Sequence, residues 1–338
     1  MECIIAKDCF EPIYQQHLSL LIKLVAYSSE FNSVIIEEPE VFESEGYNSL
    51  DKNDRDILVA SFNANVIGNT THEGETVKVT AKGSYEDKLK VFSPEEAVRY
   101  IQEPLCVLLE NNLYDGRFIR CLIHYFGSER VKCALEVNSI RMEHSGGCGN
   151  TKNTLDEKSR GFRFRTKFLR LCIVWDGDQE YPGKVVEKYN KDIEDLNTHG
   201  IRYHILCKRE MENYLPEEAV KDLASPRFLV WFNAYNAMSD VQKDHYDMND
   251  GFNYSQIQYS SANRDHLPDG VRELFADVSN TNFDLLKEGL KIGHFKDTFS
   301  KAFEISPYAN KATLLARTAS QSNPNELQEI ADMINQLL

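Results

Sequence analysis

Apolar and polar positions alternate along this chain in two different rhythms, and the change between them divides it. Residues 10–30 carry Ile13, Leu18, Leu21, Leu24 and Val25 at helical spacing. An acid-rich stretch from Glu37 to Asp56 reads as a solvated loop. The runs 57–68 (ILVASFNANVIG) and 75–83 (ETVKVTAKG) read as strands, separated by the polar turn NTTHEG. Ser93-Pro94-Glu95-Glu96 marks a helix start, with Ser93 as cap, Pro94 in the first turn and Glu96 closing a capping box.

From about residue 104 short apolar runs alternate with helical patterns. LCVLLE (105–110), VKCALEV (131–137), LCIVWD (171–176) and YHILC (203–207) read as strands, and helical patterns cover 114–126 and 184–198. Continuous apolar strands separated by helices predict a buried parallel sheet. The last helix is capped by Asn323, starts at Pro324 and presents Leu327, Ile330, Met333, Ile334 and Leu337 on one face. The predicted fold class is therefore α/β, a parallel sheet flanked by helices. It divides into an α+β region at 1–100, the sheet domain at 101–216 and a mainly helical region at 217–338.

Composition narrows the class. The chain has 338 residues, and a hydrophobic content of 42% with 16 Tyr and 18 Phe is enough to fill cores. No apolar run approaches the roughly 20 residues that span a bilayer, and the opening MECIIAKDCFEPIYQQ lacks the apolar core of a secretory signal. The eight cysteines form no CxxC pair and several sit in apolar runs, as free thiols of a reducing cytoplasm do. A structural zinc site is not expected. The net charge of −15 argues against a protein that coats DNA. Residues 158–170 (KSRGFRFRTKFLR) nevertheless hold six Lys or Arg and no acid, leaving about −21 for the rest.

Candidate chemistry lies at the strand ends. Ligands of open parallel sheets bind beyond the carboxyl ends of the strands. Glu110 ends the first run of the sheet domain, Asp176 and Asp178 end the third, and Glu210 and Glu212 follow the fourth. Carboxylates so crowded raise one another's pKa unless a cation sits among them. Hard oxygen ligands suit Mg²⁺ or Mn²⁺, with Glu110, Asp176 and Asp178 as the expected metal ligands.

At these residues the sequence resembles the Toprim family, found in topoisomerases, bacterial primases and nucleases of the overcoming-lysogenization-defect type. The likeness covers about a third of the chain. A Glu after the first strand, a glycine turn after the second and a DxD after the third are matched by Glu110, Gly146-Gly147 and Asp176-Gly177-Asp178. REMENYL resembles the Glu-bearing stretch of the nuclease branch, with Glu212 as its acid. The first motif departs from the family pattern: Asn111 replaces a Gly, and Asp115 lies five residues after Glu110 instead of four. Asp115, Glu210, Gly146 and Gly147 are carried as possible site residues. The resemblance implies a metal-dependent nuclease acting on DNA or RNA, in a prokaryotic anti-phage setting beside an ATPase. No GxxxxGK[ST] motif is present, so that ATPase would be a separate partner.

Plainer readings stand beside these. Asp176 and Asp178 can be turn residues, Glu110 a helix cap and Asp115 a first-turn acid. Arg160, Arg163, Arg165, Lys167 and Arg170 can contact nucleic-acid phosphates, with Phe162, Phe164 or Phe168 stacking on bases, or can form a solvated face. A DxD-dependent glycosyltransferase leaves Glu110 and ENYL without a role. A non-catalytic scaffold that keeps a degenerate Toprim core is the remaining alternative.

Overall fold

The computed structural model describes all residues except 28–31, 37, 68–73, 87–88, 147–149, 161–165, 225–227 and 253–263. Its strands form two four-stranded sheets in which every pairing is parallel. The first contains β1 (Glu2–Ile5), β2 (Ser33–Ile36), β3 (Thr76–Val79) and β4 (Val91–Phe92), in the order β2-β1-β3-β4. Helices α1 (Leu18–Ala26), α2 (Lys52–Ile67) and α3 (Pro94–Gln102) accompany it. The second contains β5 (Leu105–Leu109), β6 (Ile140–His144), β7 (Leu171–Trp175) and β8 (Arg202–Ile205), in the order β6-β5-β7-β8. Its connections include α4 (Tyr114–Phe126), α5 (Glu129–Glu136), α6 (Thr151–Arg160) and α7 (Asn190–His199). Short helices dominate the region beyond residue 216, among them α8 (Phe295–Ile305) and α9 (Glu326–Leu337). The fold is thus α/β, with strands and helices mixed in the N-terminal region and helices at the C-terminal end.

Two expected strands are helices. Residues 57–67 belong to α2, whose first turn is held by the Asp51 carboxylate accepting from the Asp54 N–H at 2.9 Å. VKCALEV lies mostly in α5, capped by Ser128 Oγ accepting from the Val131 N–H at 3.3 Å. The strand at that place in the sheet is instead the polar IRMEH of β6. An edge strand is half solvated, so its sequence lacks the continuous apolar run that marks β5 and β7. The acid-rich stretch also contains two short helices, Pro39–Glu43 and Glu45–Ser49. The helix at 114–126 and the capping box at Ser93 are as read from the sequence.

β5 and β7 are buried along their whole length because both faces of the sheet are covered. On one face Cys106, Leu108, Ile173 and Trp175 meet Leu155 of α6 and Leu196 of α7. On the other, Val107, Leu109 and Val174 join Phe118 of α4, Phe299 of α8 and Ile330 of α9 in a single core. The sheet domain and the C-terminal helices therefore share one hydrophobic core across the boundary at residue 216. The N-terminal sheet has its own core, which also takes in Phe168.

That docking of Phe168 corrects the reading of the basic run. Lys167 is 1% exposed, and its ammonium donates to the Ser84 carbonyl and, at 3.1 Å, to that of Val91. Arg170 is buried too, donating to the Glu103 carbonyl at 2.8 Å and lying over the Tyr100 ring. Both cations seam the two sheet units together and are not presented to a polyanion. Arg160 is exposed at the end of α6; Arg163 and Arg165, with Phe162 and Phe164, fall outside the described residues.

Glu326, at the start of α9, fastens that helix beneath β8. Its carboxylate, fully buried, accepts from the Cys207 N–H at 2.7 Å, Gln321 Nε2 at 2.8 Å and the Tyr214 hydroxyl, with His204 Nε2 at 2.8 Å. Burial acts to raise its pKa, but the hydrogen bonds from His204 and Tyr214 prevail and hold it below the ordinary glutamate value. Glu326→Ala strands several buried donors at once and is expected to cost about 3 kcal/mol. Denaturant unfolding should show the loss as a lower midpoint, with a smaller loss for Glu326→Gln.

Candidate active site

The second sheet is entered at β5, and the chain moves first to β6 on one side and then to β7 on the other. The order reverses between β5 and β7, so the crossovers leave a crevice at their carboxyl ends. Parallel pairing of β5 with β7 and of β7 with β8 brings Glu110, the Asp176-Gly177-Asp178 turn and the Glu210–Glu212 segment to that one edge. The expected residues therefore lie along the edge where an open sheet binds ligands.

Each acid is held by local backbone chemistry. Asn111, the departure from the first motif, caps α4: its Oδ1 accepts from the N–H groups of Leu113 and Tyr114, both at 3.0 Å. Asp115, in the first turn of α4, reaches back to accept from the Asn111 N–H at 2.7 Å. It is 5% exposed, so it tightens the turn and also joins the acidic group. Asp176 Oδ1 accepts from the Met211 N–H at 3.0 Å, tying the end of β7 to the segment bearing Glu212. Gly177 is fixed by close approach, since a Cβ there would lie 2.2 Å from the Lys208 carbonyl oxygen and 2.4 Å from that of Leu206.

Asp178 takes a different course. Its backbone lies in the left-handed region at φ 51°, with its N–H donating to the Arg209 carbonyl at 2.8 Å. Its carboxylate is engaged by Lys188 and lies 2.6 Å from the Tyr189 hydroxyl. That hydroxyl is also 2.7 Å from the Asp176 carbonyl oxygen, and its single proton serves one acceptor at a time. Asp178 is thus paired, whereas Asp115, Asp176 and Glu212 make no ion pair within 4.0 Å among the described residues.

Electrostatics defines the inner group. Burial pushes the Asp176 carboxyl well above its ordinary range; Lys296 opposes the shift, while Asp115, Glu212 and Glu210 add to it. Glu212 is raised by burial against the pull of Lys296. Burial also pushes Asp115 up to about 6, with Glu212 and Glu110 contributing, and Glu210 up to about 8, with Glu212 and Asp247 contributing. Lys296 responds in the opposite sense. Burial alone would lower it, yet Glu212, Asp176, Glu210 and Asp115 hold its ammonium above the ordinary lysine value.

Lys296 was missed by sequence reading, and it is the cation that couples to all four inner acids. It occupies the second position of α8, where the helix dipole disfavours a cation; that mismatch was the signal available in the sequence. Arg117 of α4 clamps the same turn, donating from Nη1 to Asp297 Oδ1 at 2.9 Å, the Asp297 carbonyl at 3.1 Å and Ser300 Oγ at 2.9 Å. Phe295 and Phe299 bury the opposite side of the turn.

The oxygen-only donor set has the chemistry Mg²⁺ or Mn²⁺ prefers. No three His, Cys, Asp or Glu side chains among the described residues stand together closely enough to hold an ion as they are. Asp115, Asp176, Glu210 and Glu212 nevertheless feel one another's charge along the edge. The remaining residues of the motifs are structural. Asn213 donates to the carbonyls of Lys243 at 2.8 Å and Tyr246 at 2.9 Å, and Tyr214 serves Glu326. Gly146 has φ 78° in the turn after β6, and Gly147 lies outside the described residues. No protein-family model matches the chain, and no curated protein or solved structure matches it.

The raised acids set a sign for stability. Asp115 and Glu210 keep protons in the folded state at pH values where the unfolded chain has lost them. Their contribution is complete below about pH 4 and is lost as pH rises through about 6 to 8. In the presence of chelator, thermal stability should fall across that window. Asp176→Asn and Glu212→Gln, which remove like charges, should flatten the fall and leave the protein more stable at pH 8. An equal slope in all three proteins would show that the acids do not repel.

Proposed function

We propose that this protein is a metal-dependent nuclease that hydrolyses phosphodiester bonds of DNA or RNA. The observation that carries the reading is the presence of Glu110, Asp115, Asp176 and Glu212, at three strand ends and a helix start, along the switch-point edge of a parallel sheet, with Lys296 coupled to the buried acids. Like charges buried together at a ligand-binding edge are costly for the fold, which favours a role in chemistry.

Glu110, Asp115, Asp176 and Glu212 would hold Mg²⁺ or Mn²⁺, with Asp178 joining if it gives up Lys188. The metal would polarise the phosphodiester and supply an activated water. Lys296, kept charged through neutral pH by its neighbours, would neutralise the phosphate oxygens as negative charge develops on them. The Arg117 clamp would hold the ammonium in place, and the Asp176–Met211 bond would fix the DxD turn against the segment bearing Glu212.

A partner is part of the proposal. The chain carries −15 overall, and Lys167 and Arg170 are used internally, so unaided encounter with a polyanion should be slow. A separate protein, such as the ATPase implied by the Toprim resemblance, would deliver the nucleic acid. The second reading, a scaffold with a degenerate core, is favoured by the pairing of Asp178 and by the open spacing of the acids.

The test is incubation with Mg²⁺ or Mn²⁺ and plasmid, single-stranded DNA or total RNA, with and without candidate partners. Asp176→Ala, Glu110→Gln and Lys296→Met should each lower cleavage by about 10²-fold or more while the fold persists. Absence of cleavage under every condition would favour the scaffold.

A further inference from the structure

The segment that follows the DxD turn returns to it. Residues 179–187 leave Asp178 and come back in one loop, and Lys188 at the far end pairs its ammonium with the Asp178 carboxylate. A compact loop whose ends lie close together is packed by its own side chains. Gln179 is fixed at the start, its carbonyl oxygen 2.9 Å from His245 Nδ1. Tyr181 lies so close to Gly270 that a Cβ there would stand 2.7 Å from its ring. The Lys184 N–H donates to the Tyr181 carbonyl at 3.2 Å around Gly183, which has φ 79°. At the far end Tyr189 is buried, stacked on Trp175 at 5.0 Å and bonded through its hydroxyl to the DxD turn. Lys188 therefore springs from an anchored backbone beside the acidic edge, and a change of side-chain rotamer is enough to redirect its ammonium.

Neighbouring cations are placed differently. Lys296 is held by Glu212, Asp176, Glu210 and Asp115 together, and Lys184 is paired with Glu180 inside the loop. Lys167 and Arg170 are buried between the two sheet units. In the Lys188–Asp178 pair the lysine side chain is 40% exposed and the aspartate 32%. An ion pair so open to water favours the paired arrangement by no more than about fivefold. A phosphate arriving at the edge offers the ammonium a second anion of comparable strength, so the exchange costs little.

We propose that Lys188 is a substrate-binding residue: it contacts a backbone phosphate of a nucleic acid lying along the acidic edge, and Asp178 holds it in reserve until that phosphate arrives. The proposal rests on the nuclease reading for the identity of its ligand, but binding is measured without cleavage. Fluorescence anisotropy follows labelled single strands of DNA and RNA of one sequence, titrated with the full chain in chelator at low ionic strength. Lys188→Met should weaken binding about fivefold or more and lower the log–log salt slope by about 0.7, the share of one phosphate contact on a single strand. Lys188→Arg, which keeps the charge, should retain the affinity. Asp178→Asn, which releases the ammonium, should tighten binding about threefold or more in the presence of Lys188, and by no more than Glu187→Gln does once Lys188→Met is also made. Circular dichroism establishes that the variants fold, and Glu187→Gln measures the effect of removing one acid from the same segment.

An unchanged affinity and salt slope in Lys188→Met, an Asp178→Asn effect of equal size with and without Lys188, or no saturable binding below about 0.1 mM overturns the assignment. Cleavage without a contribution of Lys188 to binding would remove this residue from the site and leave the nuclease. Binding through Lys188 without cleavage under any metal would keep the contact and remove the nuclease.

Discussion

Pairing β5 directly with β7, with β6 turned to the far side, is the constraint on which the rest of the molecule depends. Two central strands buried on both faces must be apolar throughout, so their first polar residues appear where they leave the sheet. Parallel direction puts both exits on the same edge. Glu110 and Asp176 are brought to one edge by this geometry, and there Asp176 is repelled by Asp115, Glu212 and Glu210. The helices of the C-terminal region then have two tasks, covering one face of the sheet and bringing a positive charge to its edge. α8 does both, through Phe299 in the core and Lys296 among the acids.

The sequence made parts of this legible and hid others for identifiable reasons. β5 and β7 announce themselves because a strand buried on both sides is an unbroken apolar run. β6 does not, because IRMEH lies at an edge, and the nearby VKCALEV is apolar enough to be mistaken for it. The acids at the strand ends could be read from position alone. Lys296 could not, because its place depends on the packing of a helix 120 residues beyond the DxD turn (296 against 176). Asp178 shows a further limit: a motif gives the order of residues, and the Lys188 and Tyr189 that take up its carboxylate belong to a segment without a recognisable pattern.

The basic run is a reminder that local charge does not imply an exposed charge. Phe168 seeks the N-terminal core, and the neighbouring Lys167 is drawn in with it, where backbone carbonyls replace water around its ammonium. Carbonyls of Ser84 and Val91 are neutral acceptors that solvate the buried cation, and the Glu96 carboxylate, 3.6 Å away, adds the opposite charge. A count of cations in a sequence window cannot distinguish this from a binding face.

The position of α8 in the chain has a bearing on how the protein comes to be made. Domains fold as units and the N-terminal parts emerge first from the ribosome. The acids of β5, β7 and the following turn are synthesised well before Phe295–Ile305, the helix that carries their cation and covers their side of the sheet. A nascent chain halted before that helix would hold an edge of uncompensated carboxylates over an incomplete core, unable to settle into the native arrangement. An incomplete product therefore lacks both the cation and the closing of the core, and the edge reaches its native charge balance only when the core is complete.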